Sequence, residues 1–420
     1  MKKAVALVIY LVITSSFAQN DMIIERIEFE GLKKTKESFL RYLIKTKEGN
    51  VVNFKTLNSD LERLNRLAGI AKATYQLTNN ENRTTIAFSI VENFTIIPGV
   101  RVSQASDDSF SYRLSLFEFN LLGRNQIIGG FYAKNVFNSY GLYWEAPYAI
   151  SNKWGIGVYY ISNITREPVY QNNEEQIYKF NNPNASLYVL YEHNFHNNFQ
   201  LGVKYSDERY ERIEDLTILN LPEHIEEKRY SILSEYENNH INIDYQYIEG
   251  SRNQINLEYK TGMIDELRNT LLVIWDSERF YRIAKKGNLA NRIRLAYSSF
   301  NGSEFAPFTI DNQLNLRGSG NTVDRHTGAF TVNTEYRHTL FEKGWFVLQS
   351  NTFVDASAVR KPLATIENAF SADGLNVYSG IGFRFIHKRI FNAVIRIDYG
   401  VRIAGDYNSS GITFGIGQYF

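Results

Sequence analysis

The chain has 420 residues, a formal net charge of +1, no Cys, and 14% aromatic residues with only 7 Pro. This composition suits a large folded core and excludes intrinsic disorder; the absence of Cys excludes disulfides and thiolate chemistry, and the balanced charge argues against a nucleic-acid binder. A mean hydropathy of -0.32 argues against a helical membrane protein, but not against a β-barrel, whose strands alternate polar and apolar residues.

Lys2 and Lys3 precede an uninterrupted apolar run, Ala4 to Ile13, and the small residues Ser16 and Ala18 flank a cleavage point before Gln19. Residues 1–18 therefore read as a secretory signal peptide. The competing reading, a single anchor helix, needs a longer apolar run than this, and no other segment supplies one. Residues 21–93 mix periods. Ile24, Ile27 and Phe29 lie in a strand-like run ending at Gly31, and Phe39, Leu40, Leu43 and Ile44 follow at helical spacing. Asn53 is placed to cap a second helix with Phe54, Leu57, Leu61, Leu64 and Leu67 on one face, and Gly69 to stop it. Two strand-like runs, Ile70 to Leu77 and Thr84 to Glu92, flank a turn at Asn79–Asn82. The order is β-α-α-β-β, a small α+β domain.

From residue 94 to 420 the period changes to two. Ile395, Ile397, Tyr399 and Val401 share one face, and Arg396, Asp398, Gly400 and Arg402 the other. Trp154, Ile156, Val158 and Tyr160 likewise oppose Gly155, Gly157 and Tyr159. A soluble sandwich also alternates. An export signal combined with this sustained, aromatic-rich alternation favours a transmembrane β-barrel with its apolar face to lipid. Residues 101–420 number 320; at about 20 residues per strand and turn this gives about 16 antiparallel strands, an even number. Candidate strands begin near Thr95, Phe110, Gln126, Tyr140, Trp154, Ser186, Phe199, Tyr230, Asn242, Gln254, Thr270, Leu289, Ala329, Phe346, Asn376, Asn392 and Gly411. That is one too many, and the run Tyr230 to Gln246 is the weakest.

Several motifs then converge. IERIEFEGLKKT (Ile24 to Thr35) and LNRLAGIAKATYQL (Leu64 to Leu77) look like parts of a POTRA domain. EFNLLGRNQ (Glu118 to Gln126), Ala146-Pro147-Tyr148, LRGSG (Leu316 to Gly320), EYR (Glu335 to Arg337), FVDAS (Phe353 to Ser357) and FGIGQYF (Phe414 to Phe420) follow in order. Together they resemble the BamA/TamA-type outer-membrane assembly barrels, the bacterial surface antigen family. Ser319 replaces the aromatic that usually follows Arg-Gly, Ser357 replaces a Gly, and only one POTRA-like unit fits. The resemblance implies that Arg317, followed by Gly318 on an inward-folded loop, pairs with Asp355, with Glu335 nearby, and pins that loop in the lumen. A plain brace or plug is the alternative role for the same pair. Phe414 and the terminal Phe420 belong to the C-terminal signature.

The barrel closes by pairing its first strand, Thr95 to Ala105, with its last. Pro98 and Gly99 on one side and Gly411, Gly415 and Gly417 on the other are poor ladder formers. In the family this seam is thought to open sideways and template client strands; ordinary tapering and bulges are the alternative. The POTRA-like sheet should leave one edge strand free for an extended client, or serve as a spacer that contacts a periplasmic accessory protein. The seven His are scattered; His193 and His196 read as solvated turn residues with no third metal ligand. The mixed charges of Asp207 to Glu227 read as a surface extension of a hairpin, able to meet lipid head groups or a partner. Gly415 to Gly417 is no phosphate loop, since no helix follows it.

The expectation is therefore a non-enzymatic protein without cofactor or metal, residing in the bacterial outer membrane with its N-terminal domain in the periplasm. Its implied partners are unfolded outer-membrane or secreted client proteins, outer-membrane lipid and periplasmic accessory proteins, with no nucleic acid. The expected role is assembly, insertion or translocation of other proteins, ahead of a two-partner-type secretion pore or a passive structural barrel. Secretion-type relatives carry two POTRA units and a plugging helix, and the interval between Ala18 and Ile24 holds neither.

Overall fold

The computed structural model describes residues 22–80, 83–104, 110–171, 174–215, 218, 220–310, 316–319, 324–366, 374–388, 394–405 and 408–417. Residues 1–18, Phe420 and the strand start near Asn392 lie outside them. The first domain is built from β1 (Ile23–Glu30), α1 (Glu37–Leu43), α2 (Phe54–Asn65), β2 (Ile70–Asn80) and β3 (Arg83–Glu92). Its sheet runs β1-β3-β2, with β1 parallel and β2 antiparallel to β3. Phe39, Leu40 and Leu43 of α1 and Leu57 and Leu64 of α2 pack onto Ile24, Ile27, Ile86, Phe88 and Ile90 of the sheet. Asn53 accepts a 3.0 Å bond from the N–H of Thr56, the expected cap. Phe54 is half exposed, outside the core stripe. Buried Asp60 is satisfied by the N–H groups of Lys45 (2.8 Å) and Thr46 (2.7 Å), which fixes the chain between the helices.

Gly69 does not stop α2. The helix ends at Asn65 with Arg66 as its cap in right-handed geometry, so no left-handed residue is needed there. The glycine is needed because an added Cβ would collide with the side chain of Asn120, in the second domain.

The remaining chain closes into a barrel of strands β4 (Ile96–Gln104), β5 (Phe110–Leu121), β6 (Gln126–Lys134), β7 (Asn138–Ala146), β8 (Trp154–Gln171), β9 (Glu174–Asn194), β10 (Asn197–Arg212), β11 (His224–Asn239), β12 (Asn242–Asp244), β13 (Tyr247–Lys260), β14 (Thr270–Ile283) and β15 (Gly287–Ser298). After a small hairpin, β16 (Phe308–Ile310) with β17 (Asp324–His326), it continues through β18 (Gly328–Lys343), β19 (Phe346–Arg360), β20 (Leu375–His387), β21 (Val394–Ala404) and β22 (Ser410–Ile416). Among the described residues this is a 16-stranded antiparallel barrel, because β11 and β12 are one strand. Both pair with β13 in a single register, Asn239 opposite Arg252 and Asn242 opposite Glu249. The kink between them faces Gly250, whose φ of 102° twists the ladder. The surplus strand was this interruption. β9 begins at Glu174, well before the expected Ser186, because polar residues dominate its outer half. The turns at the end nearest the first domain are short, and the far end carries the long loops. Along the strands apolar side chains such as Leu142, Val158, Leu187 and Ile397 stand exposed on the outward face.

Candidate functional site

The inner end of the loop between β15 and β18 meets the lumen wall at Arg317. Its Nε and Nη2 donate to the two carboxylate oxygens of Asp355 at 2.8 Å each, its backbone N–H donates to Asp355 at 3.0 Å, and Nη1 donates to Glu335 at 2.5 Å. Its guanidinium carbon lies 3.6 Å from the centre of the Phe353 ring. All three charged side chains are fully buried, so only this bidentate geometry repays their desolvation. Gly318 adopts a φ of 93°, and a Cβ there would strike the backbone of Gly400 on β21. The loop tip therefore packs main chain against main chain. Ser319 donates to the carbonyl of Leu316 at 2.9 Å, and Ser357 lies 3.3 Å from Thr331.

The network is wider than the sequence motifs suggest. Glu335 also takes Arg337, and both its oxygens accept from Arg384 Nη2 at 2.8 and 2.9 Å; Asp398 takes Arg396 (3.1 Å) and Asn351 (3.0 Å). Strand parity was the usable signal: Arg396 and Asp398 already stood on the polar face of β21. The acidic Glu208 of the supposed surface extension is likewise buried, held by Lys260 (2.6 Å) and Arg229 (3.1 Å). Inward parity at the start of that extension overrides its charged composition.

The opposite wall, β5 to β9, is aromatic. Phe117, Tyr143, Tyr159 and Tyr188 form a chain of rings with centroids 5.8, 5.9 and 6.3 Å apart, joined by Phe131 at 6.3 Å from Tyr143. The rings of Phe117, Phe131 and Tyr188 lie against Gly129, Gly141 and Gly157 of a neighbouring strand, where a Cβ would collide with them.

The seam joins β22 to β4 through four described pairs, Arg101 to Gln104 against Gly415 to Ile412; β8 and β9, by contrast, share eighteen, from Trp154–Tyr191 to Gln171–Glu174. Gly415 lies in the seam opposite Arg101, and Phe414 opposite Val102. Pro98 and Gly99 pair with Leu116 and Ser115 of β5 and lie below the described seam pairs. Gly411 pairs with Gly400 on β21, and Gly417, at φ 99°, follows the end of β22 and donates to Val394.

The first domain is clamped to the rim beside that seam. Asn120 donates to Thr35 (3.0 Å), Lys36 N–H donates to the carbonyl of Gly123 (2.9 Å), and Ala68 N–H donates to Asn125 (3.1 Å). Arg63 reaches the carbonyl of Asn152 (3.1 Å) and Glu192 (2.5 Å), and Tyr148 donates to Glu192 (2.9 Å). His196 is not a free turn residue: it stacks on His240 at 4.0 Å and lies 3.3 Å from Arg66. Among the described residues no cluster is suited to hold a metal ion. Burial pushes Glu92 up, but the N–H groups of Lys34 (2.9 Å) and Thr35 (2.8 Å) outweigh it and hold the carboxyl below its usual range. The turn motifs that make this clamp were visible in the sequence, but their role was not.

On the free side of the domain, β1 is covered by the segment from Gly49 to Val52, through bonds such as Ile24 N–H to Asn50 (2.8 Å) and Val52 N–H to Met22 (2.8 Å). β2 is the open edge. Its first part is closed by Asn65, which bonds both the N–H (2.7 Å) and the carbonyl (3.2 Å) of Ala73. The same parity turns the main-chain groups of Tyr75 and Leu77 outward.

Residues 22–93 match the POTRA family, described as surface antigen variable number repeat. No curated protein matches the sequence. Among solved structures, the fold resembles BamA from Haemophilus ducreyi lacking POTRA domains 1–3, at 16% identity and a TM-score of 0.58, over 94% of this chain and 84% of that one. It also resembles CdiB from Acinetobacter baumannii (15% identity, TM-score 0.63, 95% and 74% coverage) and CdiB from Escherichia coli (10%, 0.65, 95% and 77%). The chain thus carries a POTRA domain at residues 22–93 and, as a whole, is similar in fold to BamA and CdiB.

Proposed function

We propose that this protein works in the outer membrane, with its POTRA domain in the periplasm, as a factor that inserts or translocates other proteins. The observation that carries the reading is the four-pair seam directly attached to a domain with one open sheet edge. An extended client segment adds to β2 from Tyr75 onward through main-chain bonds, which tolerate varied sequences. It is then passed to the seam, where β4 from Ile96 to Val100 lies beyond the described β22 pairing. The outward apolar belt meets lipid, and the clients are unfolded outer-membrane or secreted chains. No nucleotide or cofactor enters this scheme. The chain has no native Cys, so Val102→Cys with Phe414→Cys gives a clean lock across a directly opposed pair. In the protein's own host, oxidising that lock should deplete many unrelated barrels from the outer membrane, as removing the protein would. Loss of one exported protein alone would shift the role to dedicated secretion. An unchanged outer-membrane and secreted proteome, with the lock formed, would overturn the seam mechanism.

A further inference from the structure

Arg279 of β14 stands on the outward face of the barrel. Strand parity places it with Tyr281 and Ile283, both exposed, and not with Glu278 and Phe280, both buried. It is in register with Ser251 of β13 on one side and Asn291 of β15 on the other, and Asn291 is in register with Thr334 of β18. Four polar residues thus cross four strands at one level. Farther from the POTRA end the same face is apolar, with Ile255, Ile293 and Leu295 exposed; nearer to it lies Tyr281. The bonds of Arg279 go to neutral oxygens: Nη1 donates to the amide oxygen of Asn253 at 3.3 Å and to the carbonyl of Glu278 at 2.8 Å. Asn253 also accepts from the hydroxyl of Ser277 at 2.9 Å.

Hydrocarbon is a costly surrounding for a guanidinium, and a cation on the outer face of a barrel is tolerated where it reaches the interface. The rim is close. Ile283, four residues on, ends β14, about 13 Å along the strand, and a long side chain extends toward such a boundary. The turn that follows carries Lys285 and Lys286, both exposed, and no carboxylate. That turn is fixed by its main chain: Arg282 donates to the carbonyl of Lys285 at 2.6 Å, and the N–H of Thr339 donates to that of Lys286 at 2.8 Å. We propose that Arg279, with Lys285 and Lys286, binds the phosphate of an anionic phospholipid in the leaflet nearest the POTRA domain. The inference rests on the outer-membrane reading above. Arg279 offers phosphate oxygens a planar fork of donors. The two lysines favour a headgroup without an ammonium of its own, because a zwitterionic lipid brings a competing cation. The acyl chains lie along Ile293 and Leu295. The POTRA domain bonds the turns β5–β6, β7–β8 and β9–β10, so lipid and domain hold different parts of one rim.

Native mass spectrometry reads the lipid that the full-length protein retains after reconstitution in equal parts of phosphatidylglycerol and phosphatidylethanolamine and extraction in detergent. The parent should retain phosphatidylglycerol with about tenfold preference. Arg279→Leu should keep the folded, heat-modifiable mobility, since an apolar residue suits that face, and lose the preference. Lys285→Gln with Lys286→Gln, on an exposed turn, should lower it severalfold. A parent without preference, or folded variants that retain phosphatidylglycerol as the parent does, would overturn the site. If Arg279→Leu does not fold, the double lysine variant decides alone. A parent that enters no bilayer would bring down the outer-membrane reading and this inference together, whereas insertion without lipid preference brings down this inference only.

Discussion

The two walls of the lumen share one strand geometry and hold their interiors by opposite means. The wall of β18 to β21 buries four guanidinium groups, Arg317, Arg337, Arg384 and Arg396, against three carboxylates, Glu335, Asp355 and Asp398. The wall of β5 to β9 stacks rings over glycines. An ionic network in low dielectric is all-or-none: taking out one member strands the others. A ring stack loses contacts by degrees. The ionic wall grips the loop, whereas the aromatic wall holds its charges singly, Arg113 over the Phe131 ring and Glu145 on the hydroxyl of Tyr188 (2.9 Å). Rigidity and compliance are thus assigned by side-chain chemistry, not by the sheet.

Arg317→Ala tests the contrast at its sharpest. It leaves Asp355 without its bidentate partner and should cost about 3–5 kcal/mol, the range for breaking a buried pair, read by urea unfolding of the refolded barrel. Arg317→Lys should fall between, since a point charge cannot span both Asp355 and Glu335. A parent-like midpoint for Arg317→Ala would remove the ionic wall from the account. On the other wall, Gly157→Ala pushes a methyl into the Tyr188 ring and should cost about 1–3 kcal/mol. Adding Tyr188→Ala should cost less than the two changes summed; strict additivity would mean that the ring and the glycine do not interact. The smallest effect lies outside both walls. Glu92 titrates below its ordinary value of 4.5 when folded, so its contribution is full above that value and fades as pH falls through the lower folded one. Protection factors of the Lys34 and Thr35 amides, corrected for intrinsic exchange, should fall below about pH 4.5 in the parent and stay level in Glu92→Gln. Identical pH profiles would show that the carboxylate does not hold that turn.

Much of this was legible in the chain. Period-two alternation with exposed apolar parity located most barrel strands, and the cap at Asn53 located α2. The contacts that join distant segments were not legible. Gly69 was read locally, as a helix stop, because nothing in its neighbourhood announces Asn120 fifty-one residues later. Arg325 of β17 and Glu167 of β8 lie far apart in the sequence with no local motif, and only the folded far end brings them together. The charged stretch around Glu208 misled because composition says surface while parity says lumen.

The clamp on the POTRA domain has a consequence for delivery. Only Asn93, Phe94 and Thr95 separate β3 from β4, and Asn93 is itself tied to Gly69 (3.0 Å) and Ala68 (3.0 Å). Under the proposed function, a segment captured on β2 would therefore be presented to the seam as an intramolecular reactant, at one distance and one angle. Its effective concentration at β4 is set by this fixed geometry, and not diluted by a flexible tether.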